Sequence, residues 1–447
     1  MSPTVKALRD LRRRIGVAPV RALCEIVAGP LARPSTPGAR HGHYRTVSFD
    51  GCSAIRLPDS RANRAAFGRH GGWPMLRLMT LVETGTRALI GSSFGPPSEG
   101  EIAYARRLLH LLRPDMLVLW DKGFDGNDFL AQTYATGAKI LGRLKSNRIT
   151  PVLVRLDDGS YLSRLGTVTV RVIEAHITVT CADTTTFTGS YRLITTLTDP
   201  RRHPARTLIS LYHQRWEHES AYFALRHTMM NSRVLRSHEP AGVEQEMWAT
   251  LTLYQLLRTV MVDAVETCPG TDPDRAGFTV TLQAARDQLI LAAPATGGLG
   301  RATRIGRRVL DALLPARRPR ISTRKVKSTT VRYAERLNDG RPDRSTPVTG
   351  FSVEVQPPPE QSEYPDTTRD ERTLPMASPE RRSEKIVAFL RSEPERTWSA
   401  KELSRRLGDI TVQSIYRQLS RLADRGLIIK TGHAAYTPTP LTTAEIR

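Results

Sequence analysis

The order of apolar segments between Tyr44 and Phe124 constrains the fold of this chain more than any other feature of its sequence. Three runs typical of β-strands, YRTVSFDG, PMLRLMTLVET and TRALIGSSFG, precede one helical run, EIAYARRLLHLL, and a short apolar strand, MLVLWDKGF, follows it. Consecutive strands joined by turns pair antiparallel, whereas strands joined across a helix pair parallel. A further helix, DFLAQTYATG, and strand, AKILGRLK, continue the parallel part. We therefore expect an α/β core whose sheet starts antiparallel and continues parallel.

That strand order is the pattern of an RNase H-like fold, and the rest of the chain divides around it. From about 146 to 204 the runs become rich in β-branched residues and turn signals, which predicts a β subdomain inserted into a core that spans 44–314. Ahead of the core, 1–43 is predicted to form one or two basic helices and a Pro/Gly linker. The basic and proline-rich stretch 315–379 is predicted to be a mostly disordered linker. The last region, 380–440, is predicted to fold by itself.

The C-terminal region has the pattern of a winged helix-turn-helix. Three helical runs precede LIIKTGHAAYTP, which predicts a hairpin; Ser399 and Glu402 have capping-box spacing, and Ile415, Leu419 and Leu422 share an apolar face. The third helix would enter the major groove of DNA. Its polar candidates for base or phosphate contact are Gln413, Ser414, Arg417, Gln418 and Arg421. Small domains of this kind also serve as protein–protein modules, so that alternative stays open.

The charge of the chain favours a polyanionic partner. The formal net charge is +22, and most of the cations are arginines, whose rigid fork of donors suits phosphate. An arginine-rich proteome would raise the isoelectric point in the same way. The four cysteines include no CxxC pair, so neither a zinc knuckle nor a disulfide framework is predicted. No apolar run approaches the roughly 18 residues of a membrane span, and we expect a cytoplasmic protein.

Three acidic residues stand out by their context. Asp50 is predicted to end the first core strand, with Gly51 opening a turn, and Asp121 is predicted to end the fourth. Glu219 lies in the helical run YHQRWEHESAYFALR. Acids at the ends of neighbouring strands, with a third from a helix, can converge on two Mg²⁺ ions about 3.5–4 Å apart, which stabilise the attacking and leaving oxygens of a phosphoryl displacement. Each acid alone is more often a turn or structural residue. Together, in a strongly basic chain, they favour metal-dependent chemistry on a phosphate backbone.

The helical run around Glu219 has a stripe of polar residues. At about 100° per residue, Tyr212, Arg215, Glu219 and Arg226 share one face. The two arginines could bind phosphates that flank a metal held by Glu219. A surface ion-pair ladder is the alternative, although Arg215 ahead of Glu219 is the weaker order for helix stability.

The same run resembles the Y-x2-R-x3-E-x6-K signature of insertion-sequence DDE transposases, the large bacterial family four type. Tyr212, Arg215 and Glu219 match the signature by spacing, and Arg226 stands at its lysine position. The segment SFDGCSAIRLPDSRANRAAFG resembles the first-aspartate block of that family, and LVLWDKGFDGNDFL resembles the second. The resemblance covers roughly Leu8 to Gln283.

The resemblance implies a DNA transposase. Water would attack the DNA backbone at the element end, and the freed 3′-hydroxyl would then attack the target, with two Mg²⁺ ions (or Mn²⁺) as cofactors. The implied catalytic and metal-binding residues are Asp50, Asp121 and Glu219. The implied phosphate contacts are Tyr212, Arg215 and Arg226. The implied partner is double-stranded DNA, both the element ends and the target. The implied protein is a homodimer on this DNA, located in the bacterial cytoplasm and associated with the nucleoid.

Two departures leave other functions open. Family members usually carry a longer N-terminal helical domain that binds the element ends, so 1–43 would be its remnant. That short start and Arg226 favour a catalytically inactive descendant that regulates through the C-terminal winged helix. The presence of Asp50, Asp121 and Glu219 favours the enzyme, because an inactive copy has no need of all three. An RNase H-like nuclease without strand transfer is a third possibility.

Overall fold

The structure is a computed structural model of the 447-residue chain. The described residues are 4–358, except for 69–71, 146, 214–220, 223, 231–233, 292–297, 316–319 and 323–344, together with 386–387, 389–390, 396–399, 402–403, 415, 418–419, 422–423, 426–432 and 435–438. Internal contacts divide the chain into two units, Met1–Ser362 and Glu363–Arg447.

Strands and helices are numbered here in chain order. The strands are β1 Arg40–His41, β2 Tyr44–Arg56, β3 Met75–Glu83, β4 Leu89–Gly95, β5 Met116–Trp120, β6 Lys139–Arg143, β7 Val154–Arg155, β8 Tyr161–Leu165, β9 Val168–Cys181, β10 Thr186–Thr195, β11 Arg320–Ser322, β12 Ser345–Val355, β13 Trp398–Ser399, β14 Ile428–Gly432 and β15 Ala435–Pro438. The α-helices are α1 Val5–Ile15, α2 Ala18–Val27, α3 Arg61–Phe67, α4 Glu101–Arg106, α5 Asn127–Ala135, α6 Ala205–His213, α7 Pro240–Glu266, α8 Phe278–Leu291 and α9 Gly298–Asp311.

The first unit is built on one mixed sheet. Its path runs β11-β12-β9-β10-β6-β5-β2-β3-β4, with β1 beside β2, and with β8 beside β9 and β7 beside β8. β2 pairs antiparallel with β3, and β3 with β4, whereas β2, β5 and β6 run parallel. The predicted antiparallel start and parallel continuation are therefore observed, and this arrangement fits an RNase H-like core.

The central strand β5 explains why its sequence is apolar throughout. All five of its residues are buried because both faces of the sheet are covered. Val118 and Trp120 pack into the cluster on the side of α5, with Phe129. Leu117 and Leu119 face the opposite way and pack in a second cluster that contains Leu208 and Ile209 of α6. Each fully buried aliphatic side chain of this kind contributes about 1.5–3 kcal/mol to stability.

The predicted β insertion is continuous with the core sheet. β9 and β10 form a long antiparallel pair, and the last three residues of β10, Leu193–Thr195, pair with Leu141–Arg143 of β6. The inserted strands thus extend the core sheet instead of forming a separate layer. Within the insertion, the buried Arg171 guanidinium is bound by Asp158, Ser160 and the carbonyl of His203, which fixes the insertion to the entrance of α6.

The predicted disorder of 315–379 is wrong for part of that stretch. β12 pairs antiparallel with β9, with Val348 opposite Cys181 and Val355 opposite Ala175. The run STPVTGFSVEV alternates apolar and polar residues, and Val353 is buried in the cluster that α6 completes. This period-2 pattern is short, so the proline-rich and basic residues around it dominated the composition. The remainder of the predicted linker, 323–344 and 359–379, lies outside the described residues.

The N-terminal helices are followed by an ordered loop. α1 and α2 correspond to the predicted basic helices. The backbone amides of Leu31 and Ala32 donate to the buried Glu83 carboxylate at 2.9 Å each, and Arg45 pairs with the same carboxylate. Because buried backbone donors need a partner, Glu83 fixes this loop against the sheet. No helix among the described residues is both long and apolar enough to cross a membrane.

The second unit has its own small core. β15 lies between β13 and β14 in a three-stranded antiparallel sheet, and the predicted hairpin is its β14–β15 pair. Ile415, Leu419 and Leu422 are at most 1% exposed, as their predicted apolar face requires. The predicted capping box is also present: the Glu402 carboxylate accepts from the Ser399 amide at 2.9 Å, and the Glu402 amide donates to the Ser399 hydroxyl at 3.2 Å.

Candidate active site

Asp50 lies within β2, where the pairing with β5 has ended. The sequence predicted a strand end and a turn at Gly51, but β2 continues to Arg56 because Asp50 pairs with Thr80 of β3 on its other side. The Asp-Gly turn signal is thus overridden by this antiparallel partner. The parallel β2–β5 pairing stops at Ser48, opposite Leu119. The edge of β2 that would face β5 is therefore open at Asp50.

Asp121 follows β5 directly, as predicted. It caps a short 3₁₀ turn over Lys122–Phe124, and its Oδ1 accepts from the Gly123 amide at 2.7 Å. Asp50 and Asp121 each lie two residues beyond the registered pair Ser48–Leu119. Since neighbouring strands are about 4.8 Å apart, parallel strands of this register carry both aspartates to the same edge of the sheet. Both residues are half-buried.

Two tyrosine hydroxyls hold the backbone at these two aspartates. Tyr212, on α6, donates to the carbonyl oxygen of Trp120 at 3.0 Å, immediately before Asp121. Tyr222 donates to the carbonyl oxygen of Asp50 at 2.5 Å. The single phenolic proton of Tyr222 is used in that bond, so the Thr80 hydroxyl, 3.0 Å away, donates to the phenolic oxygen.

The chemistry of Tyr222 follows from its burial. Burial raises the pKa of Tyr222 well above its usual range, and the negative charge of the nearby Asp50 adds to that shift. The phenol therefore stays protonated and remains a donor. The sequence gave no sign of this positioning role of Tyr222.

Tyr212 occupies a different environment from the one expected. Its side chain is 2% exposed, and its ring packs edge-on against Tyr191 at 5.7 Å. A buried hydroxyl that donates to a main-chain carbonyl is not presented to a DNA phosphate. The phosphate contact expected of Tyr212 is thus replaced by a role in holding the end of β5.

The remaining residues of the helical signature are only partly described. Arg215 and Glu219 lie outside the described residues. Arg226 is half-buried within a π-helical turn, Ala224–Met229, whose i to i+5 pattern continues in the bond from the Met230 amide to the Leu225 carbonyl at 3.1 Å. The uniform 100° step used to place Arg226 on one stripe with Glu219 therefore does not hold across this turn.

Glu101 is a carboxylate near both aspartates that the sequence did not single out. It is the first residue of α4 and is half-buried. A Cβ on Gly51 would lie 3.1 Å from both the Cδ and Oε1 atoms of Glu101, and a Cβ on Gly123 would lie 2.9 Å from Asp121 Oδ1 and 4.0 Å from Glu101 Oε2. The Glu101 carboxylate is thus located between the residues that follow Asp50 and Asp121.

The donor set of this site suits a hard divalent cation. Mg²⁺ and Mn²⁺ prefer carboxylate oxygens, and Gly51 and Gly123 place no side chain against the acids. Within the described part of the chain, no ion pair involves Asp121 or Glu101. No three His, Cys, Asp or Glu side chains among the described residues already form a compact metal-binding group.

Of the predicted DNA-contacting residues of the second unit, only Gln418 is among the described residues. Gln418 is half-buried, and its Oε1 atom is buried without a hydrogen-bond partner. That oxygen faces the interior of the unit, an orientation unsuited to base contact. The other four lie outside the described residues: Gln413, Ser414, Arg417 and Arg421.

Comparisons with known proteins agree with the resemblance of the sequence. Residues 43–256 match the family model described as "Transposase DDE domain". The transposase InsG for insertion sequence element IS4 of Escherichia coli (strain K12) is 28% identical over 299 residues, which cover 61% of this chain and 64% of that protein. The chain thus spans just under two thirds of the length of this relative. Both sequence matches are to proteins described as transposases.

A solved structure was also matched. The cryo-EM structure of a piggyBac transposase synaptic complex with hairpin DNA has 12% sequence identity and a TM-score of 0.33, over 64% of this chain and 59% of that chain.

Proposed function

We propose that this chain is a DNA transposase of an insertion sequence, which cleaves the element ends and joins them to a target by metal-dependent phosphoryl transfer. The observation that carries the proposal is the placement of Asp50 and Asp121 at one edge of the sheet, each two residues beyond the last registered pair of β2 and β5. The match of 43–256 to the transposase domain gives this pair its chemical context.

The two tyrosine contacts support a third carboxylate from Glu219. Glu219 stands between Tyr212 and Tyr222 in the sequence, and the hydroxyls of these tyrosines hold the backbone beside the two aspartates. Three residues of chain span at most about 11 Å, so the Cα atoms of Glu219 and Tyr222 are no farther apart than that. A glutamate so close to Tyr222 can reach the edge where Asp50 lies.

Asp50, Asp121 and Glu219 would hold two Mg²⁺ ions, with Mn²⁺ as a substitute. When bound, such ions lower the pKa of an attacking water and stabilise the charge on the attacking and leaving oxygens. The tyrosines keep the two strand ends in place, so that the carboxylates need little rearrangement. Arg215 and Arg226 would bind phosphates of the DNA strand near the cleaved bond, where arginine can donate two hydrogen bonds at once.

Other basic surfaces of the first unit suit the DNA on either side of the cleaved bond. Lys122 is exposed immediately after Asp121, and α9 exposes Arg304, Arg307 and Arg308. Such contacts add affinity without sequence information and weaken as salt is raised.

We further propose that the second unit is a winged helix that binds DNA. Its separate core, capping box and hairpin support that fold. Its candidate DNA contacts remain Gln413, Ser414, Arg417 and Arg421. They belong to the predicted third helix, which would enter the major groove. The proposed assembly is a homodimer on two element ends.

A cleavage assay tests the proposed activity. Purified protein is incubated with DNA that carries one end of the element flanking the coding region, with Mg²⁺ or Mn²⁺. Asp121→Asn should lower the rate at least about 100-fold, because even a residue that only orients a metal ligand typically contributes 10–100-fold. Asp128→Asn, an exposed carboxylate seven residues later on α5, is the matched control and should cleave like the wild type.

Equal cleavage by wild type and Asp121→Asn, or no cleavage by the wild type with either ion, would contradict the proposal. The second result would favour a DNA-binding regulator without catalytic activity. No feature of the described site favours that alternative at present.

A further inference from the structure

The Glu101 carboxylate is placed by three separate elements of the first unit. The start of α4 carries it, Gly51 of β2 leaves space on one side, and Gly123 after β5 leaves space on the other. The 3.1 Å from the Cβ position of Gly51 to Glu101 Oε1 is closer than an ordinary van der Waals contact. An alanine at Gly51 would therefore press against this carboxylate.

The carboxylates of Asp121 and Glu101 thus lie near each other at this edge of the sheet. The position of a Cβ on Gly123 is within 4.0 Å of oxygens from both Asp121 and Glu101. Like charges at such separations repel each other unless a cation lies between them. Among the described residues, neither Asp121 nor Glu101 has an arginine or lysine partner, although the chain carries 66 lysines and arginines.

A role for Glu101 in helix stability does not account for this environment. A glutamate in the first turn of a helix interacts favourably with the helix dipole, but that interaction is equally available to a side chain directed into solvent. Glu99, two residues earlier, has such a solvent-exposed position and pairs with Arg107 at 2.6 Å. The Glu101 side chain instead lies against Gly51 and near Gly123.

We propose that Glu101 is a further metal-binding carboxylate of this site, in addition to Asp50, Asp121 and Glu219. This inference rests on the proposed transposase function and adds a ligand to the same site. The described carboxylates do not yet form a compact ligand set. Rotation about the flexible bonds of Glu101 would bring its oxygens to a cation shared with Asp121, at the roughly 2.0–2.1 Å that Mg²⁺ requires.

The test measures Mn²⁺ binding to the full chain without DNA, by isothermal titration calorimetry and by the electron paramagnetic resonance signal of free Mn²⁺. Glu101→Gln keeps the size of the side chain and removes its charge. It should weaken Mn²⁺ binding by about 10-fold or more. Glu99→Gln is the matched control and should change the affinity less than about 2-fold, since its exposed ion pair lies away from the glycines.

A stability measurement separates a ligand from a structural residue. Without Mn²⁺, the unfolding midpoint of Glu101→Gln should equal or exceed that of the wild type, because the substitution relieves repulsion among the acids. The rise in midpoint on adding Mn²⁺ should be smaller in the variant. Unchanged Mn²⁺ affinity, or a lower midpoint without Mn²⁺, would overturn the proposal.

Gly51→Ala tests the geometry without altering any charge. The added methyl group should displace the Glu101 carboxylate and weaken Mn²⁺ binding, and it should have little further effect in the Glu101→Gln background. Equal effects in both backgrounds would contradict the assigned placement.

The failure of this inference can be told apart from failure of the proposed function. If Asp121→Asn abolishes cleavage and Mn²⁺ binding while Glu101→Gln binds Mn²⁺ like the wild type, only the role of Glu101 is excluded. If the wild type neither binds Mn²⁺ nor cleaves DNA, the proposed function itself fails.

Discussion

Two groups of carboxylates in the first unit differ in whether an arginine compensates their charge. Glu83 is fully buried, yet it is paired with Arg45 and accepts two backbone amides. Asp158 is bound in a similar way by Arg171. At the edge formed by β2 and β5, Asp121 and Glu101 face each other across Gly123, and neither forms an ion pair within the described residues. Among the described residues, some acids are therefore paired with arginine, whereas Asp121 and Glu101 are not.

This difference separates structural from functional charge. Arginine is abundant in this chain, so a shortage of cations does not explain why Asp121 and Glu101 have no arginine partner within the described residues. A buried acid with an internal partner is satisfied in the folded state. Under the proposed function, acids that lie close together without such a partner would lower the stability of the metal-free fold at the place where the metal binds.

The largest expected effect concerns Glu83, the carboxylate that Arg45 compensates. Glu83→Ala removes the partner of Arg45 and leaves that guanidinium buried, together with the amides of Leu31 and Ala32. The free energy of unfolding should fall by about 3–5 kcal/mol, the usual result of breaking a buried pair. Chemical denaturation followed by circular dichroism measures this change. Glu99→Ala, which breaks an exposed pair, should lower the free energy of unfolding by less than about 1 kcal/mol.

A loss below about 1 kcal/mol for Glu83→Ala would remove the contrast, because Glu83 would then be no more structural than an exposed acid. The stabilities of the two variants and the wild type should be compared at the same pH.

Much of the core sheet could be predicted from the sequence, because its strands differ in local pattern from the helices between them. The strand β12 could not, since its partner β9 lies far away in the sequence and the segments around β12 are rich in proline and charge. The end of β2 was misplaced because Asp50-Gly51 is a strong local turn signal. Pairing with β3, which no local window contains, carries the strand onward to Arg56.

Only the part of the site that the strands carry could be predicted from the sequence. Asp50 and Asp121 stand out because each closes a run of apolar residues, and the sheet register brings them to one edge. Their role in metal binding stays a prediction. Glu101 could not be found this way, since glutamate is common in the first turn of helices and only the fold brings Gly51 and Gly123 beside it. The bond from Tyr222 to Asp50 likewise depends on tertiary packing.

A smaller effect is expected at the two strand ends that carry the proposed metal ligands, where tyrosine hydroxyls bind the backbone. Tyr222→Phe removes the donor to the Asp50 carbonyl and leaves that buried oxygen without this partner. The free energy of unfolding should fall by about 0.5–1.5 kcal/mol, the value of one hydrogen bond. The cleavage rate should fall by about 10-fold with little change in DNA affinity, since a shift of the strand end misplaces a metal ligand.

Tyr212→Phe is the matched variant on the other strand end, and it should lower the rate by a similar factor. An unchanged cleavage rate in both variants, with stability reduced, would make the two tyrosines packing residues and nothing more.

The smallest expected effect concerns a pair of groups that the fold keeps neutral. His41 Nε2 lies 3.0 Å from His203 Nδ1, so one ring must donate and the other accept. Burial lowers the pKa of both histidines; for His41 the charge of His203 adds to the shift, whereas for His203 the carboxylate of Asp199 opposes it.

Below about pH 6.5 the unfolded chain binds protons that the folded pair resists. The stability that the neutral pair contributes is therefore present above that pH and is lost as the pH falls. Between pH 7.5 and 5.5, the unfolding midpoint of His203→Asn should decrease by about 1–2 °C less than that of the wild type. A parallel decrease in both proteins would show that folding does not change proton binding by this pair. The contrast between compensated and uncompensated groups would then be limited to carboxylates.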